Sequence, residues 1–357
     1  MKKIALILTL LILFLHAKSQ VSYSINGVVK DASGETLPSA TIFLDGSEKK
    51  TSTNDKGEFA IAGLSPGTYQ LTVHFIGYKT WKRNVLVRDK SMTIDVEMAA
   101  SEVSLNEVVI TNKASKNKYL GLFIRNFLGE TENGKACFIA NPEILKFSEQ
   151  GLYVTARTSG FLVIENPNLG YRIKYLLRDF RLNRMSQVAS YTGECIFENL
   201  EGSDIEKQEW EENRRLAYDG SLMHFLRSLY SGTTDLQGFF FYPIKNARKE
   251  GQHIDTNNLT REDITSTTDS VFLNIKFPEP LYLVYDTLAG KNDVVGKDEA
   301  RIKQAIKDNK GSTVELFLEK ATIDAKGSTV DYRSFLIRGL WGTKRIGDQL
   351  PFEYLPD

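Results

Sequence analysis

Ser221 and His224 come closer than any other residues to a nucleophile beside its base. In such a pair the imidazole removes the hydroxyl proton, and the serine oxygen can then attack an acyl group. The same spacing also fits a helix N-terminus, at which Ser221 caps a helix predicted from Leu222 to Leu229. No Gly-x-Ser-x-Gly motif surrounds Ser221. We therefore interpret Ser221 as a helix cap and predict no catalytic residue.

Three acidic residues, Glu143, Glu165 and Asp179, are candidate acids or bases for a hydrolase. No phosphate-loop or metal-ligand motif accompanies them. The histidines beyond residue 19 are isolated from one another: His74, His224 and His253. The sequence thus predicts no metal site and no cofactor, and an unrecognised envelope hydrolase of glycan or peptide is an alternative interpretation only.

Two predicted strands could instead present binding surfaces. Residues 238–243 are the most aromatic run, Gly-Phe-Phe-Phe-Tyr-Pro, and stacked rings can form a platform for sugars. Consecutive strand residues point to opposite faces, however, which favours a buried strand. In residues 171–178, Arg172, Lys174 and Arg178 share one face. That face is predicted to be solvated, and an anionic-ligand site is the alternative.

Composition and charge narrow the classes of partner. The chain is 41% hydrophobic, 11% aromatic and 25% charged, as in an ordinary folded protein. Its 45 basic residues balance 45 acidic ones, so it has no broad positive field and nucleic acid is excluded as the expected partner.

The N-terminus predicts export. A basic Met1-Lys2-Lys3 precedes an apolar run over residues 4–15, and small residues end at Ser19. We predict a signal peptide over residues 1–19, with an N-terminal membrane anchor as the alternative. No other segment is apolar enough for a transmembrane helix in the mature chain. The predicted location is the periplasm or the outer membrane, with peripheral association.

An oxidising compartment permits a disulfide between Cys137 and Cys195. Closing that loop would stabilise the fold by roughly 4 kcal/mol in the chain-entropy model. We nevertheless favour two separate buried thiols, and the disulfide is the alternative.

Residues 20–98 consist of short β-rich runs divided by turn signals, which predicts a small antiparallel sandwich. Within Thr68–Phe75 the residues Tyr69, Leu71, Val73 and Phe75 alternate with polar ones and are predicted to face its core. The run Asn54-Asp55-Lys56-Gly57 predicts a turn with positive φ at Gly57.

Several ordered motifs of this region resemble the carboxypeptidase regulatory-like domain. They are Gly27-Val28-Val29, Gly34-Glu35-Thr36-Leu37-Pro38-Ser39-Ala40-Thr41-Ile42, Thr53-Asn54-Asp55-Lys56-Gly57-Glu58-Phe59, Leu64-Ser65-Pro66-Gly67-Thr68-Tyr69-Gln70-Leu71 and Ile76-Gly77-Tyr78. The resemblance implies a transthyretin-like (prealbumin-like) β-sandwich without protease chemistry. The His-x-x-Glu zinc pair of the carboxypeptidase catalytic domain is missing from the sequence.

Residues 99–118 are predicted to be a linker that contains one β-type stretch. This stretch resembles the segment that follows the same domain in TonB-dependent receptors. We interpret it as a last strand of the module or as a strand that joins the two domains. Because an unpaired β-segment can add to another sheet, a partner-binding edge strand formed by Leu105, Glu107, Val108, Val109 and Ile110 is the alternative.

Residues 119–357 alternate helical and strand patterns, which predicts an α+β domain rich in antiparallel sheet. The fold class is therefore mainly β or α+β. This region resembles the C-terminal part of envelope proteins that carry a carboxypeptidase-like regulatory domain and have no assigned activity. The motifs that carry the resemblance are Cys137–Glu143, Ile164-Glu165-Asn166 with Leu169-Gly170-Tyr171, Ala217–Ser221 with His224-Phe225-Leu226, and Gly339-Leu340-Trp341-Gly342 before Leu350-Pro351.

Together these features predict a non-catalytic, secreted envelope protein that binds an envelope protein or glycan. The alternatives are an accessory of a TonB-dependent uptake system and the hydrolase already named.

Overall fold

The computed structural model describes residues 22–101, 112–246, 253–255, 257, 259–267, 269–286, 299–308, 310–331 and 333–356. Among these residues, no helix is both long enough and apolar enough to span a bilayer.

The N-terminal module, residues 22–101, is a two-sheet β-sandwich. Its strands are β1 (Tyr23–Asp31), β2 (Thr41–Leu44), β3 (Lys50–Ser52), β4 (Glu58–Leu64), β5 (Gly67–His74), β6 (Trp81–Val87), β7 (Met92–Thr93) and β8 (Val96–Met98). One sheet has the order β4-β1-β7, with β8 also pairing with β1, and the other has the order β3-β2-β5-β6. The sandwich is confirmed, but β1 pairs in parallel with β7 and β8, so the first sheet is mixed.

The predicted alternation of β5 is confirmed on its inner side. Tyr69, Leu71 and Val73 are buried in the sandwich core. The turn before β4 has φ of +72° at Gly57, and a Cβ there would lie 2.6 Å from the carbonyl oxygen of Val29. Only glycine fits that position without strain, so sequence and backbone agree.

The second domain begins with a helix that lies across a six-stranded sheet. The elements are α1 (Lys113–Leu128), α2 (Glu132–Ala136), β9 (Phe138–Ile139), a 3-10 turn (Pro142–Ile144), β10 (Lys146–Gln150), β11 (Tyr153–Arg157), β12 (Phe161–Asn166), β13 (Tyr171–Asn183) and β14 (Ala189–Asn199). Tyr119, Phe123 and Phe127 of α1 are buried in the core beneath this sheet. The helix begins within the predicted linker.

The long strand β13 organises this sheet. Along one edge it pairs with β12 and then with β11, and along the other edge it pairs with β14. The turn-type run Asn166-Pro167-Asn168-Leu169-Gly170 predicts a hairpin between the strands on either side of it, and the β12–β13 pair confirms this hairpin. Because side chains alternate, β13 buries Tyr175 and Leu177 in the domain core and turns Leu176 to the opposite face.

Beyond β14, the described residues add five helices, a 3-10 turn and two smaller sheets. The elements are α3 (Asp204–Tyr218), α4 (Leu222–Ser231), β15 (Phe239–Lys245), β16 (His253–Ile254), α5 (Arg261–Ile264), β17 (Thr265–Thr267), β18 (Leu273–Ile275), β19 (Leu281–Tyr285), α6 (Glu299–Lys307), β20 (Ser312–Leu316), β21 (Ala321–Ile323), β22 (Phe335–Gly339), α7 (Leu340–Thr343) and a 3-10 turn (Ile346–Asp348). The sheet orders are β16-β15-β19-β20-β22 and β17-β18-β21. The mainly antiparallel α+β class is confirmed.

One predicted hairpin is wrong in part. The sequence suggests that residues 314–323 pair with residues 331–338. In the structure β20 pairs with β22, but β21 leaves that sheet and pairs with β18. The chain changes sheets between Leu316 and Ala321, and the following turn, residues 324–330, reaches the N-terminal module.

Candidate functional site

The outer face of the module's β3-β2-β5-β6 sheet packs on the outer face of β13 and β14. Phe43 of β2 is completely buried there with Leu176 and Ile196, and its ring lies 5.7 Å from that of Phe161. The polar side of β5, which the alternation assigns to the surface, is largely part of this interface, since Thr68 and Thr72 are both buried.

The loop that follows β2 covers the open edge of β14. The Gly46 amide donates to the Cys195 carbonyl (3.0 Å), and the Phe197 amide donates to the Ser47 carbonyl (2.9 Å). The Cys195 amide donates to Oδ1 of Asp45 (2.7 Å). These bonds satisfy edge groups that would otherwise be open to another chain, so the module is joined to the sheet through its backbone.

Asp45 is the titratable group with the most unusual environment in this interface. Burial raises the pKa of Asp45 to about 7, and the nearby Glu194 carboxylate acts in the same direction. The amides of Cys195 and Gly46 oppose that rise, because they favour the charged form. A carboxyl group that titrates near neutral pH in a cleft is a typical feature of a functional site.

Glu194 is a second buried carboxylate at the same junction. Its Oε1 lies 2.7 Å from Arg178 Nη2 and 3.3 Å from Lys82 Nζ. Its Oε2 and the Thr72 hydroxyl have no hydrogen-bond partner among the described residues. The buried Glu194 carboxylate is thus paired with two cations whose side chains remain partly exposed.

A cavity of about 480 Å³ lies where the module, the six-stranded sheet, helix α4 and the C-terminal segment meet. Aromatic and aliphatic side chains form much of its wall: Tyr175, Phe197, Leu222, Met223, Leu226, Phe335, Ile337, Trp341, Leu350 and Phe352. Polar groups reach it from separate elements: Asp45, Ser221, Ser328, Thr329, Lys344, Arg345, Asp348 and Gln349. A mixed lining of this kind is typical of a small-molecule site.

Two of the lining side chains are fixed by hydrogen bonds. Trp341 Nε1 donates to the Gly220 carbonyl (2.6 Å), which holds the indole ring in place. The hydroxyl of Thr131 lies 2.9 Å from both carboxylate oxygens of Asp348, and Lys344 Nζ lies 3.7 Å from its Oδ1. The cavity wall is therefore preorganised on the C-terminal side.

Ser221 and His224 do not form a catalytic pair. The Ser221 hydroxyl accepts a hydrogen bond from the His224 amide (3.1 Å), as predicted for a helix cap. The His224 ring accepts from the Gly220 amide at Nδ1 and lies 3.1 Å from Gln237 at Nε2. Both ring nitrogens are engaged, and burial lowers the pKa of His224.

The three candidate acids lie apart from the cavity. Glu165 forms a cross-strand pair with Arg172 (2.6 Å), Asp179 lies 3.9 Å from Arg157, and Glu143 is exposed in the 3-10 turn. Within the described residues, no cluster of three or more metal-ligating side chains is found.

The basic face and the aromatic run are both structural. Lys174 and Arg178 pair with Glu198 and Glu194 respectively, so the face predicted as solvated is neutralised and partly covered by the module. In β15 the rings divide between two cores. Phe239 and Phe241 face helix α4, whereas Phe240 and Tyr242 face the other side of the sheet. The period-two argument for a buried strand is confirmed.

The structure contains two separate buried thiols and not the possible disulfide: Cys137 and Cys195 are free and buried. Cys137 immediately precedes β9, whereas Cys195 lies on β14, and β12 and β13 lie between those strands. Three strand spacings amount to roughly 14 Å. A disulfide needs Cα atoms within about 7 Å of each other, so the sheet keeps the thiols apart.

The predicted edge strand, with Leu105, Glu107, Val108, Val109 and Ile110, lies outside the described residues. Sequence reasoning did not predict the cavity as a site. Asp45 appears in the sequence only as half of an Asp-Gly turn signal. Ser221 and Trp341 belong to motifs of the second region quoted above, but those motifs gave no indication that the two residues line one cavity.

Comparison with known proteins finds a family match for the N-terminal module. Residues 25–110 match the family described as CarboxypepD_reg-like domain. No curated protein matches this chain.

Similar solved structures include a type II cohesin–X-dockerin complex from Acetivibrio cellulolyticus (22% identity, 23% of this chain and 61% of that chain, TM-score 0.21). The shaft pilin of Lactobacillus rhamnosus GG is also similar (16% identity, 24% of this chain and 49% of that chain, TM-score 0.20). A third similar structure is 3-chlorocatechol 1,2-dioxygenase from Rhodococcus opacus (9% identity, 24% of this chain and 62% of that chain, TM-score 0.20). This chain covers less than two thirds of each, and scores this low carry no functional argument. The family match over residues 25–110 agrees with the carboxypeptidase regulatory-like domain that the sequence motifs of the module predict.

Proposed function

We propose that this protein is an exported, non-catalytic binding protein of the cell envelope, and that its interdomain cavity holds the end of an envelope glycan. The observation that carries the proposal is the cavity itself. It has a volume of about 480 Å³, and its walls come from both domains.

The chemistry of the lining supports a sugar ligand. Fixed aromatic rings, among them Trp341, offer faces on which the apolar side of a sugar ring can stack. Ser221, Thr329 and Gln349 offer groups that can exchange hydrogen bonds with sugar hydroxyls. Lys344 and Arg345 add positive charge, which suits a glycan that carries a carboxylate.

The absence of a catalytic role is part of the proposal. Ser221 is used as a helix cap, and Glu165 is paired with Arg172 within the sheet. Each side chain that the sequence suggested for chemistry thus has a structural use or an exposed position away from the cavity.

Isothermal titration with a soluble peptidoglycan disaccharide-peptide tests the proposal. We expect one saturable site per chain. Leu222→Trp places a bulky ring in the cavity and should weaken binding by about tenfold or more, because the ring excludes the ligand. The matched control is Leu216→Trp, at a position on α3 that is 62% exposed. Absence of binding, or equal binding by the two variants with unchanged melting temperatures, would contradict the proposal.

A specific observation favours one competing function, a glycoside hydrolase. Asp45 and Asp348 both line the cavity, and the pKa of Asp45 is raised to about 7. Glycosidases use two carboxyl groups, of which the proton donor has a raised pKa. Mass spectrometry of the disaccharide-peptide after incubation separates the two functions. An unchanged ligand supports the binding protein, whereas cleavage that is lost in Asp45→Asn establishes the hydrolase.

A further inference from the structure

Two neighbouring turns at one end of the six-stranded sheet expose four large apolar side chains. Leu152 (49% exposed) lies in the β10–β11 turn and Tyr153 (37%) begins β11 directly after it, and Met185 (77%) and Val188 (66%) belong to the β13–β14 turn. The Arg184 amide donates to the Leu152 carbonyl (2.9 Å), so the two turns lie side by side. We call these four residues the apolar tip.

Local hydrogen bonds hold the apolar tip in its conformation. Oδ1 of Asn183 accepts from the amides of Met185 (2.9 Å) and Ser186 (3.1 Å). The Asn183 amide donates to the Val188 carbonyl (3.0 Å), and Gln187 has φ of +56°. A non-glycine residue in this region is uncommon and costs conformational energy. The turn is thus built to a definite shape although its apolar side chains add nothing to the core.

Two arginines, Arg181 and Arg184, lie beside the apolar tip. The guanidinium carbon of Arg181 lies 4.9 Å from the centre of the Tyr153 ring. Arg184 Nη2 donates to the Gly151 carbonyl (2.7 Å), and its Nη1 lies 3.6 Å from Glu149. Guanidinium groups bind phosphate through several N–H donors, and tyrosine is favoured at the boundary between lipid and water. The arginines beside the apolar tip, together with Tyr153, are therefore complementary to phospholipid headgroups.

We propose that the apolar tip is a docking surface for an anionic lipid bilayer, into whose headgroup region Met185 and Val188 insert. The proposal rests on the proposed location in the cell envelope but not on the glycan cavity. Exposed apolar side chains on two adjacent turns fit a deformable lipid surface, whereas a protein partner would have to provide a complementary pocket. Binding then combines burial of apolar area with attraction between arginine and lipid phosphate.

Flotation with lipid vesicles tests the proposal. The purified full-length chain should float with vesicles of phosphatidylethanolamine and phosphatidylglycerol, and less with phosphatidylcholine alone. The double variant Met185→Ser/Val188→Ser should lose about tenfold or more in vesicle affinity, because two apolar side chains no longer leave water. Arg181→Ala/Arg184→Ala should lose about tenfold on anionic vesicles and show weaker salt dependence. Leu216→Ser, an equally exposed apolar position on α3, is the matched control and should bind as the unmodified chain does.

A fluorescent label reports insertion directly. Met185→Cys can be labelled selectively with an environment-sensitive dye, because Cys137 and Cys195 are buried and burial raises the pKa of both thiols. The emission should shift to shorter wavelength on anionic vesicles.

No flotation of the unmodified chain, equal flotation of the serine double variant, or an unchanged emission would each overturn the proposal. Capture of a protein at Met185 in place of lipid would also overturn it. Retained binding of the disaccharide-peptide by the serine double variant separates these outcomes from failure of the proposed function.

Discussion

The two sheets of the N-terminal module are similar in size but differ in what covers their outer faces. In β4, of the first sheet, buried and exposed residues largely alternate, so one face meets the core and the other meets water. In β5, of the second sheet, residues on both faces are buried. The first sheet completes a sandwich, whereas the second also forms half of a domain interface.

Polar residues along a strand therefore do not by themselves show that the strand face is exposed to solvent. Thr68 and Thr72 are short enough to pack between two sheets, and Thr68 donates its amide to Oδ2 of Asp324 (2.7 Å). Such residues resemble surface residues in a sequence and act as interface residues in the fold. Variants on the covered face should therefore affect the protein more strongly than variants at exposed positions.

The largest effect is expected at Phe43. Phe43→Ala removes a fully buried ring from the interface with Leu176 and Ile196 and leaves a cavity. We expect a loss of about 3–5 kcal/mol in the free energy of unfolding. Urea denaturation followed by circular dichroism measures this. The control, Leu86→Ala, lies on the same sheet at 37% exposure and should lose less than about 1 kcal/mol. Equal losses would remove the distinction between covered and exposed positions.

An intermediate effect, which depends on pH, is expected at Asp45. Burial raises the pKa of Asp45 from 3.8 to about 7, so the folded protein keeps a proton that the unfolded chain has already released. The free energy of unfolding therefore falls as pH rises from about 4 to about 7. Above that range the full loss of stability from the charged Asp45 is present. Asp45→Asn keeps an oxygen for the Cys195 amide but carries no charge.

We expect Asp45→Asn to be more stable than the unmodified chain at pH 8, on the order of 2–4 kcal/mol, with a smaller difference at pH 5. Melting temperatures at the two pH values measure this. Asp31 is the control of opposite sign, since hydrogen bonds, above all from the Ser33 hydroxyl, lower the pKa of this exposed group. Asp31→Asn should not stabilise the protein at pH 8. A difference for Asp45→Asn that is independent of pH would contradict the burial of this carboxyl.

The smallest effect is expected at Lys82. Lys82→Met removes one of the two cations that neutralise the buried Glu194, while Arg178 remains at 2.7 Å. We expect a loss of about 1–2 kcal/mol, because the surviving pair limits the cost. Lys50→Met is the matched control. Its partner Glu198 is more exposed and keeps Lys174, so the loss should be below about 1 kcal/mol. A greater loss for Lys50→Met than for Lys82→Met in urea denaturation would show that burial does not determine how much these ion pairs stabilise the fold.

Several local features could be predicted because nearby residues determine them. The cap at Ser221, the helix end at Gly232 and the β12–β13 hairpin all follow from patterns of a few residues, and all are present in the structure. The candidate site could not be predicted in the same way. Asp45 meets Cys195, 150 positions further along, through pairing that depends on how two sheets pack.

The sequence by itself determined the strand pattern of the module, the resemblance to its family and the capped helices, since side-chain alternation and turn chemistry act over short distances. Tertiary structure alone decided which polar face became an interface, which thiols stayed apart and which residues line the cavity. Those outcomes depend on strand register and on contacts such as that between Thr68 and Asp324, which are 256 positions apart. No local pattern encodes such a contact, because it exists only after both domains have folded and packed.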